Sequence, residues 1–161
     1  MTRHLRIQPL TASAFAPFGD VLEAAGTPDK MINEGRCGRY HDRAVLDVSD
    51  GRAGISIFKS ETVSLPYALR MMERHPEGSQ AFIPMSADPF LVVVAPDAGG
   101  APGQPVAFLA AAGQAINFHR NTWHGVLTPL AGPGLFTVVD RIGPGANLEE
   151  HWFEEGFIID H

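Results

Sequence analysis

The stretch Glu73-Arg74-His75-Pro76-Glu77-Gly78-Ser79-Gln80-Ala81-Phe82-Ile83-Pro84 reads as the end of one strand, a tight Pro-Glu-Gly turn and the start of the next. Side chains along a strand alternate between faces, so Glu73 and His75 share a face. The turn returns Gln80 to the place where the two strands meet. A second stretch, Asn117-Phe118-His119-Arg120-Asn121-Thr122-Trp123-His124, has the same build, with an apolar run, a turn at Asn121-Thr122 and a histidine beyond it. Together they predict one polar pocket inside an all-β barrel.

The surrounding chain carries the same punctuation. Short β-type runs occupy Ile55 to Lys59, Ser79 to Pro84, Phe90 to Ala95, Val106 to Leu109, Ala115 to His119 and Leu135 to Arg141. Turn signals rich in Pro, Gly and Asp separate them, which is the pattern of a sandwich or barrel. Phe90-Leu91-Val92-Val93-Val94-Ala95 is apolar without a break. Such a strand is expected to be covered on both faces, by the core on one side and by another layer or a partner subunit on the other, and a homodimer is the simplest arrangement. Thr11 is placed to cap a short helix over Ala12-Ser13-Ala14-Phe15-Ala16 that stops at Pro17-Phe18-Gly19. Near the C-terminus Asn147 is placed to cap Leu148-Glu149-Glu150-His151-Trp152-Phe153-Glu154, whose apolar members sit near helical spacing. A second short helical segment is expected there.

Bulk composition narrows the function classes. A chain of 161 residues, 45% hydrophobic and 19% charged, fits a single domain over residues 1–161 with a sizeable core. The net charge of −6 and the presence of only two lysines argue against a nucleic-acid partner, which would call for clustered basic residues. No run is long and apolar enough for a membrane span or a signal peptide. Cys37 is the only cysteine, so an internal disulfide is impossible and the reducing cytoplasm is the expected location.

Four residues of the two stretches, Glu73, His75, Gln80 and His124, are of metal-ligand type, glutamine being the poorest of them. Arg74 and Arg120 lie next to them and suit an anionic substrate, because a guanidinium fork matches a carboxylate. His4, His41, His151 and His161 read as surface or hydrogen-bonded histidines, and Trp123 as a core or pocket-wall aromatic.

The second stretch resembles the second motif of the cupin superfamily, in which a glycine, here Gly113, a turn and a returning-strand histidine recur. Against the cupin pattern Glu73 falls where the first histidine usually stands, His75 at the second, Gln80 at the glutamate and His124 at the last histidine. More specifically, the chain resembles the ureidoglycolate lyase family of allantoin degradation. The likeness is carried by both stretches, by Phe90 to Ala95, and by Ala14-Phe15-Ala16-Pro17-Phe18-Gly19-Asp20-Val21, Ile32-Asn33-Glu34-Gly35, Arg39-Tyr40-His41-Asp42 and Val138-Val139-Asp140-Arg141. Similar sequences often follow the Trp-His pair with a histidine and a proline, where this chain has Gly125 and Val126, so no role of that histidine carries over.

The resemblance implies a cupin-type jelly-roll β-barrel, a homodimer, and cleavage of ureidoglycolate to glyoxylate and urea. It also implies nickel or a similar divalent ion, with Glu73, His75, Gln80 and His124 as the ligand set. Ureidoglycolate carries hydroxyl, carboxylate and ureido nitrogen on one carbon. Its cleavage needs a base, an acid and a carboxylate anchor. His75, His119 and His124 are the candidate proton carriers; Arg74, Arg120, Gln80, Phe82 and Trp123 are the candidate substrate contacts. Two other classes remain open at this point: a non-catalytic cupin that binds a small carboxylate, and a metal-dependent isomerase or oxygenase.

Overall fold

The computed structural model describes residues 2–161. In chain order the elements are β1 (Arg3–Pro9), the helical turn α1 (Ala12–Phe15), β2 (Gly19–Leu22), β3 (Lys30–Ile32), β4 (Cys37–Arg39), β5 (Arg52–Lys59), β6 (Tyr67–Arg74) and β7 (Gln80–Pro84). They continue with β8 (Phe90–Ala95), β9 (Val106–Ala110), β10 (Ala115–Phe118), β11 (Trp123–His124), β12 (Thr128–Pro129), β13 (Leu135–Ile142) and β14 (Glu149–Asp160). The architecture is all-β. Strands β8, β9, β1, β14, β6 and β11 follow one another in one sheet, and β11 also pairs with β8, so this sheet closes on itself as a barrel. Strand β1 runs parallel to both β14 and β9, which makes the barrel mixed. A second sheet, in the order β2-β10-β7-β13-β5, packs against it, and β3 with β4 forms a separate hairpin.

The unbroken apolar run of β8 has its explanation in this layout. Phe90, Val92 and Val94 join a core shared with Phe82, Phe118, Phe136 and Val138 of the second sheet. Leu91, Val93 and Ala95 face a second cluster with Leu5, Leu69, Met72, Phe157 and Ile159 of the barrel strands. Both faces are therefore covered by the chain itself, and β8 supplies no ground for a partner subunit.

The six expected β runs are all strands, with β8 at the expected bounds. The expected C-terminal helix is not formed: Glu149–Asp160 is the strand β14. The residues read at helical spacing are largely outside the core, since Leu148 is 48% and Trp152 66% exposed. What decides the segment is pairing, because β14 fills the place between β6 and β1 and its Phe157 and Ile159 enter the barrel interior. A helix there would leave two strand edges without partners. The N-terminal helix is reduced to the single turn α1, capped by the Thr11 hydroxyl, which accepts from the Ala14 amide at 3.2 Å.

The turn α1 has one packing task, which is to insert Phe15. This side chain is fully buried, with Phe108 and Phe118 at ring separations of 5.7 and 6.2 Å. Gly19 lets the following strand come close, since a β-carbon there would lie 2.1 Å from the Asn117 carbonyl oxygen. Removing the ring should leave a cavity costing about 3–5 kcal/mol. Urea unfolding of Phe15→Ala is expected to show that loss, while Phe15→Leu should lose markedly less.

Candidate functional site

Strand register brings the two histidine-bearing stretches together. Glu73 of β6 and His124 of β11 are direct antiparallel partners, and His75 follows two residues after Glu73. Carboxylate and ring-nitrogen atoms of Glu73, His75 and His124 all lie within 4.8 Å of one another. The His75 Nε2 to Glu73 Oε1 distance is 4.0 Å, and the two imidazoles stand 5.2 Å apart. Phe118 stacks flat on the His124 ring at 4.2 Å and fixes its plane.

Hydrogen bonds decide which atoms face this point. His75 Nδ1 lies 2.8 Å from the Asn147 carbonyl oxygen, and His124 Nδ1 lies 2.8 Å from that of Gly125. A carbonyl only accepts, so each Nδ1 carries a proton, which in the neutral ring makes Nε2 the lone-pair atom. Both Nε2 atoms are buried and have no partner within the protein. Gln80 repeats the pattern: its amide nitrogen donates to Asp140 Oδ2 at 3.1 Å, and its buried Oε1 is left without a partner. An unpartnered buried polar atom costs about 1–3 kcal/mol. Two imidazole lone pairs, a carboxylate and an amide oxygen fit a divalent cation, with histidines oriented by carbonyls as in known metal sites.

Electrostatics agree with that reading. Burial pushes the Glu73 carboxyl above its ordinary range, opposed by His75 and reinforced by Glu150. Burial, and then the neighbouring His75, press the His124 imidazole down to about 3 against the opposing Gly125 bond. His124 is thus neutral at physiological pH, the form able to coordinate.

The turns are stapled to each other. The Asn121 amide donates to the His75 carbonyl at 3.0 Å, and Arg120 Nε donates to the Pro76 carbonyl at 2.6 Å. Asn121 takes the left-handed backbone that this turn requires, at φ 67°. Of the candidate substrate contacts, Phe82 lines a cleft of about 370 Å³ with Glu73, Gln80, Phe58, Lys59 and Val126. Arg120 also approaches Asp47 at 3.8 Å. Arg74 is engaged by Glu149 at 2.6 Å and Asp97 at 2.9 Å, and its guanidinium covers the Trp123 ring. Trp123 is buried and donates to the same Asp97. His119 is held through Nε2 by Asp20 at 3.2 Å. A larger groove, about 490 Å³, follows Trp152 to Ile158 of β14, but none of the convergent acceptors lines it.

Three residues of the site escape a reading of the sequence as site residues: Asp140, Asn147 and Lys59. Asp140 had a signal, since it continues the buried alternation of Phe136 and Val138 along β13. Asn147 caps no helix; its side chain accepts from the Glu77 amide at 2.7 Å while its carbonyl orients His75. That contact spans the chain and leaves no local trace. Lys59 ends an exposed strand, where a lysine is unremarked.

The neutral His124 has a consequence for stability. In the unfolded chain an imidazole titrates near 6.5, whereas in the fold it resists protonation down to about 3, so below pH 6.5 the unfolded state binds the extra proton. The contribution is complete above pH 6.5 and is lost as the pH falls through that window, by on the order of 2 kcal/mol at about pH 5. Urea unfolding of metal-free protein at pH 7 and 5 measures it. His124→Gln should lose this part of the slope, and an unchanged slope contradicts the assignment.

Comparison with known proteins agrees with the resemblance read from the sequence. Residues 2–160 match the family model described as ureidoglycolate lyase. The chain is 58% identical over 148 residues to a ureidoglycolate lyase of Rhodobacter capsulatus, covering 91% of this chain and 92% of that one. It is 51% identical to ureidoglycolate lyase 2 of Rhizobium meliloti, over 98% of both chains. A ureidoglycolate lyase of a Chelativorans strain is 49% identical over 98% of this chain and 96% of its own. With a family match along essentially its whole length and relatives this similar, the chain belongs to the ureidoglycolate lyase family.

Proposed function

We propose that this protein is a carbon–nitrogen lyase that cleaves ureidoglycolate to glyoxylate and urea in a cupin-type jelly-roll barrel. The relatives named for this activity support the reading. The observation that carries it is the convergence of the half-buried Glu73 and His75 and the buried His124 on one point. Glu73, His75, Gln80 and His124 would hold a divalent ion, nickel by the family resemblance, which when bound supplies Lewis acidity to substrate oxygens.

The remaining chemistry falls to the chain's own groups. The substrate hydroxyl must lose its proton as the carbon–nitrogen bond breaks, and the departing ureido nitrogen must gain one, leaving glyoxylate and neutral urea. His119, the one candidate proton carrier outside the ligand set, lines neither the cluster nor the cleft; with Asp20 engaging Nε2, Nδ1 is the atom it has left for a substrate proton. Lys59 on the cleft wall is the assigned carboxylate anchor, since Arg120 in the turn is engaged by the Pro76 carbonyl and Asp47. Phe58, Phe82 and Val126 give the cleft an apolar wall that limits water. Arg74 and Trp123 support the site through their cluster with Asp97.

A homodimer, the state the resemblance implies, belongs to the same reading. Ile55 and Ile57, 77% and 58% exposed on the outer strand β5, offer it apolar surface. Sedimentation velocity at micromolar concentration should show a dimer boundary. A cytoplasmic location also belongs to it, and among the described residues no helix is long and apolar enough to cross a membrane.

Purified protein incubated with ureidoglycolate should release urea and glyoxylate in equal amounts above the uncatalysed decay, and chelation should abolish the excess. Ammonia in place of urea, or no excess even with added divalent ions, contradicts the proposal. His124→Ala should lower kcat/KM at least about a hundredfold and Lys59→Ala should act mainly on KM. Two histidines and a carboxylate also occur at non-haem iron sites, so oxygen consumption is the control, and none is expected.

A further inference from the structure

The pairing of Gln80 with Asp140 carries a consequence beyond the lyase reading. The two residues are register partners on β7 and β13, and Asp140 lies on the face that Val138 and Phe136 bury. Gln80 is 6% exposed. Its amide has two unlike ends, an oxygen that accepts and an NH2 that donates, and a side chain of this shape fits its site either way round. An ionised carboxylate only accepts. With Asp140 Oδ2 at 3.1 Å from Gln80 Nε2, the NH2 end is taken, and the buried Oε1 in the wall shared with Glu73 has no partner.

We propose that Asp140 is a positioning residue: it fixes the polarity of the Gln80 amide so that the oxygen, and not the NH2, is presented to the cation site. The inference rests on the reading of the cleft as a cation site. It also accounts for a glutamine at position 80. A glutamate there would place a second carboxylate against Asp140, and two such groups at about 3 Å cannot both stay ionised. Asp140 and Gln80 are thus a matched pair, in which an acceptor selects an amide.

Nickel titration calorimetry of four proteins tests this. Wild type sets the reference affinity. Asp140→Ala, which frees the amide to turn, should bind about 10- to 100-fold more weakly, the usual effect of losing a group that orients a ligand. Gln80→Glu should bind no more tightly than wild type despite its added charge. The double variant Gln80→Glu/Asp140→Asn, in which the new amide donates to the new carboxylate, should bind more tightly than Gln80→Glu by about tenfold or more. A merely structural Asp140 would show no such rescue. Equal affinities for Asp140→Ala and wild type, or a double variant no tighter than Gln80→Glu, overturn the proposal. If Asp140→Ala does not fold, the comparison of the two Gln80→Glu proteins still decides.

If wild type itself binds no nickel, cobalt or zinc, the cation reading fails on its own account and the role of Asp140 toward a cation falls with it. The amide polarity is then read separately by NMR. Slow exchange of the Gln80 side-chain NH2 in wild type and fast exchange in Asp140→Ala support the orienting contact, and equal exchange contradicts it.

Discussion

The structure of the site depends on where three acceptor atoms are sent. Two imidazoles each give their Nδ1 proton to a main-chain carbonyl, of Asn147 and of Gly125. An amide gives its NH2 to Asp140. Each donor is satisfied away from the centre, and the acceptors His75 Nε2, His124 Nε2 and Gln80 Oε1 are left buried and unpartnered. Folding such groups together without water is unfavourable unless something positive joins them. The barrel tolerates the arrangement because its apolar clusters on both sides of β8 supply stability that the site does not.

Distant parts of the chain converge to keep this geometry. The carbonyl that orients His75 lies between β13 and β14, on a residue whose side chain also holds the Glu77 amide. Asn121 and Arg120 tie the second turn to the first through the His75 and Pro76 carbonyls. The Arg74 cluster fastens β6 to β14 through Glu149 and to the segment after β8 through Asp97. Charges that flank the site in sequence are therefore spent largely on bracing it, which leaves Lys59 on the cleft wall as the residue best placed to meet an anion.

Much of this was legible in the sequence because it is local. Period-two alternation puts Glu73 and His75 on one face, the Pro-Glu-Gly turn brings Gln80 back to them, and the six β runs follow from composition and turn residues. The C-terminal segment is not legible locally, because Leu148, Trp152 and Phe153 mimic helical spacing, whereas the two strand edges that claim it come from remote parts of the chain. The partners of Gln80 and His75, Asp140 and Asn147, were out of reach for the same reason. Sheet register, not sequence distance, makes those contacts. Arg74 looked available beside His75, and only the fold shows that two carboxylates and an indole engage it.

The site stands or falls on whether both imidazole Nε2 atoms and the Glu73 carboxylate bind one cation. X-ray absorption at the metal edge of the nickel-loaded protein tests it directly. The expected spectrum shows a nitrogen and oxygen shell with the multiple-scattering signature of two imidazoles and no sulfur, falling to one imidazole in His124→Ala. A spectrum with no imidazole scattering, or one that His124→Ala leaves unchanged, would contradict it.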